Sequence, residues 1–345
     1  MEILRFEFDK FLKNNRGCII IPIVLLLMLV ISFFTSYIQN QNLEVYKKEY
    51  FSIVSEYGLL GEITNKSEQN LEKLIEKCDK AETDFEKLLY KYQLGDVNRS
   101  EYQNKASELS EITNLKPIIK TIQMQFDYAK KNPTNRYIMY TNGWELVTSR
   151  NTDIVFLLLI ILIVTICFRG DTDGGMRSFI LTCNGGKIKL PFIKLIVSEI
   201  MLCVSYFLHT FAYYFYVIKK YGLPSGEYPV QSLQMYSDYQ NNSSLILTNI
   251  QITFIRLLAL IVCTAFVFLC FVVIDSSIGA ISVSSAFLIL PVMFKEYSLW
   301  FLPQTMCRYQ LYDLNYTFSL LINVLLFVVI CVLSILFWKR KNNLK

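Results

Sequence analysis

Residue types that carry out chemistry are scarce in this chain. There is one histidine among 345 residues, His209, and it stands in a run with Phe207, Phe211, Tyr213 and Tyr214. A lone imidazole builds neither an HExxH site nor a multi-histidine metal centre, so the residue reads as packed and hydrogen-bonded inside an apolar helix. No GxSxG nucleophile turn occurs. The nine cysteines include no CxxC pair and fall mostly in apolar stretches, where a thiol behaves as a small apolar group. Only Cys78 and Cys307 lie in segments expected outside the membrane, which leaves a bond between them open. The run Cys183-Asn184-Gly185-Gly186-Lys187-Ile188 has Ile where a phosphate-cradling loop needs Ser or Thr, and it lacks the glycine five positions before Gly186. The expectation is therefore no catalytic residue, no metal site, no directly bound cofactor and no ATP hydrolysis by this chain: not an enzyme.

Charge inside the apolar stretches is equally sparse. Glu199 stands about one turn beyond Lys194, and Arg256 opens another apolar run. Either side chain can snorkel to a membrane interface and avoid much of the ~2.5–3.5 kcal/mol cost of a charge at a helix centre. The buried carboxylate chain of an ion-coupled carrier is missing. If substrate moves, the work comes from another polypeptide.

The elements around these residues are those of a membrane protein. Hydrophobic residues make up 53% of the chain, too many for a soluble protein of this length. Five stretches, Cys18 to Tyr37, Ile200 to Ile218, Leu257 to Ile274, Ser276 to Phe294 and Leu314 to Trp338, contain no Asp, Glu, Lys or Arg. Each approaches the length that a hydrocarbon core of about 30 Å demands. A sixth, Ile154 to Phe168, reaches about 22 Å as a helix; its alternative is a buried core helix. The predicted fold is all-α, with six transmembrane helices. Small residues between Ser276 and Ala286 would let the fifth span pack closely on its neighbours.

Residues 1–17 carry Leu4, Phe8, Phe11 and Leu12, with Ile3, on one half of a helical wheel and Arg5, Asp9, Lys10, Lys13 and Arg16 on the other; Phe6 and Glu7 are exceptions. This predicts an amphipathic helix lying on membrane lipid at the cytoplasmic interface, joined through Asn14 to Gly17 to a first span at 18–38. Acidic residues among the basic ones argue against a cleavable signal. With both termini cytoplasmic, the inner segments collect most Lys and Arg, and the short outer loops hold few.

Residues 39–151 then form a large extracytoplasmic insertion. Leu71, Leu74, Cys78, Ala81, Phe85, Leu88 and Tyr92 keep a 3-4 spacing, the seam of a helix at least about 33 Å long. Leu94-Gly95-Asp96-Val97 reads as a turn, and Asn98 with Glu101 three residues on caps a second helix bearing Tyr102, Ala106 and Leu109. Pro117 precedes a further helix through Ile118, Ile122 and Phe126. The result is a helical, coiled-coil-like hairpin domain, serving as a spacer or dimerisation element or as a recognition domain. Residues 152–345 supply the other five spans and a cytoplasmic loop at 169–194.

This layout, an amphipathic first helix, one span, a large external insertion, five more spans and a basic end, resembles the permease subunits of bacterial ATP-binding-cassette exporters of the second type. The most specific likeness is the 169–194 loop, where Asp171 or Asp173, Gly175, Thr182, Gly186-Lys187 and Lys194 follow that family's order, with Asp for its usual Glu and Lys187 for its usual Arg. The resemblance implies an ATPase coupling loop formed by Asp171, Asp173, Gly175, Arg177, Gly186, Lys187 and Lys194. It also implies a cytoplasmic ATPase subunit that holds the ATP, and a second permease copy or sister permease. It places the chain in a bacterial cell membrane as a multi-pass exporter of peptide, drug or lipid-like cargo; nucleic acid is not an expected partner. The alternatives are a membrane-anchored sensor or adhesion protein that uses the external hairpin, and a channel or secondary carrier.

Overall fold

A computed structural model describes residues 2–14, 16–39, 43–134, 136–148, 153–168, 189–237, 243–293 and 316–343. Among them every regular element is helical; two isolated bridges, Gly61 with Ile138 and Pro229 with Ser244, are the only extended pairings. The helices are α1 Glu2–Asp9, α2 Gly17–Gln39, α3 Leu43–Glu56, α4 Asn65–Gln93, α5 Arg99–Thr113 and α6 Lys116–Lys130. They continue as α7 Asn142–Thr148, α8 Asp153–Phe168, α9 Lys189–Lys220, α10 Leu245–Val273, α11 Ser277–Met293 and α12 Tyr316–Asn343.

Three of these segments are long and apolar enough to cross a membrane: Lys189–Lys220, Leu245–Val273 and Leu320–Arg340. A fourth arises if Ile3–Lys13 and Gly17–Ile31, bent by 60°, are taken as one span. The apolar helices Val155–Phe168 and Ser277–Ile289 are shorter. Three to four helices among the described residues are thus long and apolar enough to span a membrane, and two more of the six stretches expected as spans form shorter apolar helices. The difference lies in helix length: sixteen residues in α8 make about 24 Å at 1.5 Å per residue, below the thickness of a bilayer core.

The chain divides into two compact units, 1–39 with 147–216 and 249–345, and 40–146 with 217–248. In the first, α8 is the hub. It is apolar on all sides, as a helix with little water contact must be, and most of its residues from Phe156 to Phe168 are buried, with Leu158 the exposed one. It packs on α2 and on α11, where Ala280 and Ser284 are fully buried. Phe168 contacts Phe268 at 5.1 Å and Phe271 at 5.3 Å between ring centroids. His209 is buried with its ring edge-on to Phe156 at 5.2 Å. Hydroxyls in this apolar setting donate to their own helix: Thr165 to the Ile161 carbonyl, Thr264 to Leu260, Ser284 to Ala280 and Ser334 to Ile330, at 2.7–3.0 Å. That local bond removes the cost of an unmet polar group where water is absent.

The second unit has its own core, in which Tyr50, Val54 and Leu59 meet Leu71, Leu74 and Cys78 of α4 and Ile118, Ile122 and Phe126 of α6. The predicted turn at 94–97 is present, with Gly95 at φ +82°, and the Asn98 side chain accepts a hydrogen bond from the Glu101 amide at 2.8 Å. The Glu101 carboxylate pairs with Lys105 instead of reaching back to Asn98. α4 starts on a capping box in which Thr64 and Ser67 each accept from the other's amide. Ion pairs Lys116–Glu82 and Lys130–Glu68 tie α6 to α4. Cys78 is a buried free thiol; Cys307 lies outside the described residues.

The unit also takes in 217–248, a stretch that the sequence reading leaves between two spans. A Cβ on Gly143 would lie 2.0 Å from the Gly222 carbonyl oxygen, so the two backbones touch where only glycine fits. The Trp144 indole donates to the Pro224 carbonyl at 2.8 Å, and the Tyr128 hydroxyl to the Gln231 carbonyl at 2.7 Å.

Candidate functional site

Two buried charges of the first unit, Glu7 and Lys194, meet at the ends of three helices. Lys194 lies in the second turn of α9, whose first turn accepts Pro191 because amides there have no intrahelical acceptor. Its ammonium donates to a Glu7 carboxylate oxygen at 2.8 Å and to the Cys167 carbonyl at 2.8 Å. Cys167 belongs to the last turn of α8, where carbonyls lack partners and the helix dipole is negative. One cation therefore neutralises a carboxylate of α1 and the end of α8. The Phe168 ring centroid lies 5.8 Å from the ammonium, and Ser198 donates to the Lys194 carbonyl at 2.8 Å. Lys194 is 1% exposed and Glu7 6%.

α1 delivers Glu7 by turning its apolar side onto the protein. Phe11 is buried, and Leu4, Phe8 and Leu12 pack against the core of the unit. One exception to the helical wheel acquires a reason, since Glu7 points inward to its partner Lys194; the other, Phe6, is 61% exposed. A π-helical turn, Lys10–Asn14, follows α1. Arg16 then adopts φ +58°, and Gly17 fits so closely beneath Phe11 that a Cβ would stand 2.6 Å from the Phe11 carbonyl oxygen.

Of the residues predicted for a coupling loop, Lys194 sits in this cluster. Asp171, Asp173, Gly175, Arg177, Gly186 and Lys187 lie outside the described residues, in the segment that leaves α8 after Phe168 and enters α9 at Lys189. The Lys194 to Cys167 bond is at the base of that segment. Glu7 is the residue that sequence reasoning missed. Its signal was there: an acid on an otherwise apolar face, matched by a lysine on the apolar opening of a later helix.

The other two intramembrane charges also differ from the sequence reading. Arg256 is 8% exposed and donates to the Thr148 carbonyl at 3.0 Å, so it is held by protein and does not snorkel. Glu199 lines an apolar groove of about 820 Å³ between α9 and α12, walled by Phe192, Ile200, Val204 and Phe207 on one side and by Phe327, Val328 and Cys331 on the other. Both its carboxylate oxygens are buried and make no hydrogen bond. Among the described residues no group of three His, Cys, Asp or Glu side chains gathers in a way that would hold a metal ion.

No protein-family model matches the chain, and neither a curated protein nor a solved structure is significantly similar to it. The arrangement at Lys194 is mechanical: three helix ends fastened through one ammonium, at the base of a polar segment.

Proposed function

We propose that the chain is the permease subunit of an ATP-driven exporter in a bacterial cell membrane, coupled to a separate ATPase through residues 169–194. In this reading six segments span the bilayer, with α8 and α11 as short spans. Both termini are cytoplasmic, and 40–146 with 217–248 form a domain outside. Two copies, or one copy and a sister permease, make the transport unit. ATP is bound by the partner subunit.

The observation that carries this reading is the buried Lys194–Glu7–Cys167 junction. A loop that receives force must have a stiff base, and an ion pair closed off from water in a packed interior provides one. Load on the loop at 169–188 then moves α1, α8 and α9 together as a rigid body. The scarcity of nucleophiles and intramembrane acids supports an outside source of energy.

The test is purification of the tagged full-length chain from its own cells, followed by mass spectrometry for a Walker-motif ATPase. The double change Asp171→Lys with Asp173→Lys is expected to reduce co-purified ATPase and permease-stimulated ATP turnover at unchanged membrane abundance. Unchanged values of both would reject the coupling role. A second reading, a sensor or adhesion protein, draws on the independent core of the second unit and on exposed Tyr90 and Leu94 at the hairpin tip. Capture of a surface protein with no ATPase would favour it.

A further inference from the structure

An unpartnered carboxylate in an apolar groove is expensive. Water is absent from a bilayer interior, and an ionised group there without a compensating partner costs several kcal/mol or more. The Glu199 oxygens receive no hydrogen bond and meet no cation among the described residues, whereas the first unit's other buried charges are bonded: Glu7 to Lys194, and Arg256 to a carbonyl. The remainder of the groove lining is apolar apart from the thiols of Cys203 and Cys331. Its walls are open to the surroundings, with Ile200 39%, Val204 47%, Phe207 51% and Val328 52% exposed.

We propose that this groove binds a lipophilic cation, an apolar body carrying a fixed positive charge, with Glu199 as its counter-ion. Charge complementarity selects the cation: a fixed positive group beside Glu199 lets its carboxylate stay ionised where it must otherwise take up a proton, while the apolar walls take up the rest of the molecule. Size fits a small molecule. A volume of about 820 Å³ falls within the roughly 300–1,000 Å³ of small-molecule sites. The site does not depend on the exporter reading, since binding is measured on the purified chain with no ATPase present.

The experiment uses the full chain in dodecyl maltoside, with tetraphenylphosphonium as the probe and tetraphenylborate, which has the same shape and the opposite charge, as its control. Wild type is expected to bind the cation saturably and to leave the borate unbound. Glu199→Gln weakens cation binding at least about tenfold, and Glu199→Asp by less than about threefold. Val204→Trp fills the groove, keeps the carboxylate and removes binding. The proposal is overturned if Glu199→Gln binds the cation like wild type, if Val204→Trp does so, or if the borate competes on equal terms. It is also overturned if Glu199→Gln leaves cation binding intact and shifts only the oligomeric state, which would give the groove to a second copy.

Discussion

The Lys194 ammonium and the Glu7 carboxylate sit 2.8 Å apart although 187 positions separate them in the chain. Removing either partner strands the other in a dry interior, a change that typically costs about 3–5 kcal/mol. Lys194→Met and Glu7→Gln are each expected to lower the thermal midpoint of the detergent-solubilised protein strongly. The double variant Glu7→Leu with Lys194→Met leaves no buried charge and recovers much of the loss. A double variant no more stable than its worse parent would show that the pair is not coupled.

Gly17→Ala tests the joint between α1 and α2. The new methyl would meet the Phe11 carbonyl oxygen at 2.6 Å and the Phe11 ring at 2.8 Å, both fixed by the core. Overpacking of this kind costs about 1–3 kcal/mol, and α1 should detach before the rest unfolds. Limited proteolysis near Lys13 is the measurement, with faster cleavage in the variant.

Gly143→Ala probes the second unit in the same way. Its Cβ at 2.0 Å from the Gly222 carbonyl oxygen forces the segments 40–146 and 217–248 apart. Fluorescence of Trp144, whose indole is bonded to Pro224, is expected to shift to the red as that bond opens. An unshifted spectrum with unchanged stability would refute the close backbone contact.

Alkali should weaken the second unit. Burial pushes the Tyr140 hydroxyl from the ordinary 10.0 up to about 12, and burial raises that of Tyr50 as well. Above pH 10 the unfolded chain releases phenolic protons that the folded one keeps, so the unfolded state binds fewer protons and stability falls with rising pH. The loss runs from 10.0 to about 12 for Tyr140, with no contribution to the slope below that window. Denaturation midpoints across this range check it, and Tyr140→Phe should flatten the slope.

Local features were legible in the sequence. The seam from Leu71 to Leu88, the turn around Gly95, the Asn98 cap and the start of α6 beside Pro117 each follow from periodicity or backbone chemistry within a few residues. Apolar runs likewise marked the long helices. Features that depend on distant partners were not legible. Glu7 looked like an irregularity until Lys194 was found beside it, and Arg256 looked free to snorkel until the Thr148 carbonyl was found within its reach. The assignment of 217–248 to the second unit rests on Gly143, Trp144 and Tyr128, whose contacts no spacing rule foretells. The isolation of Glu199 is invisible from composition for the same reason: only packing shows that no donor arrives.

The two-piece construction of the second unit has a consequence for biogenesis. Tyr128 finds its acceptor 103 positions downstream, at Gln231. At ~5–20 residues per second of synthesis, roughly 5–20 s pass between making the two. Through that interval the nascent polypeptide emerges with an incomplete core whose missing piece is still inside the ribosome. Maturation of the unit is thereby bound to the synthesis of α8 and α9, and a truncation before Val217 would yield a product that cannot finish folding.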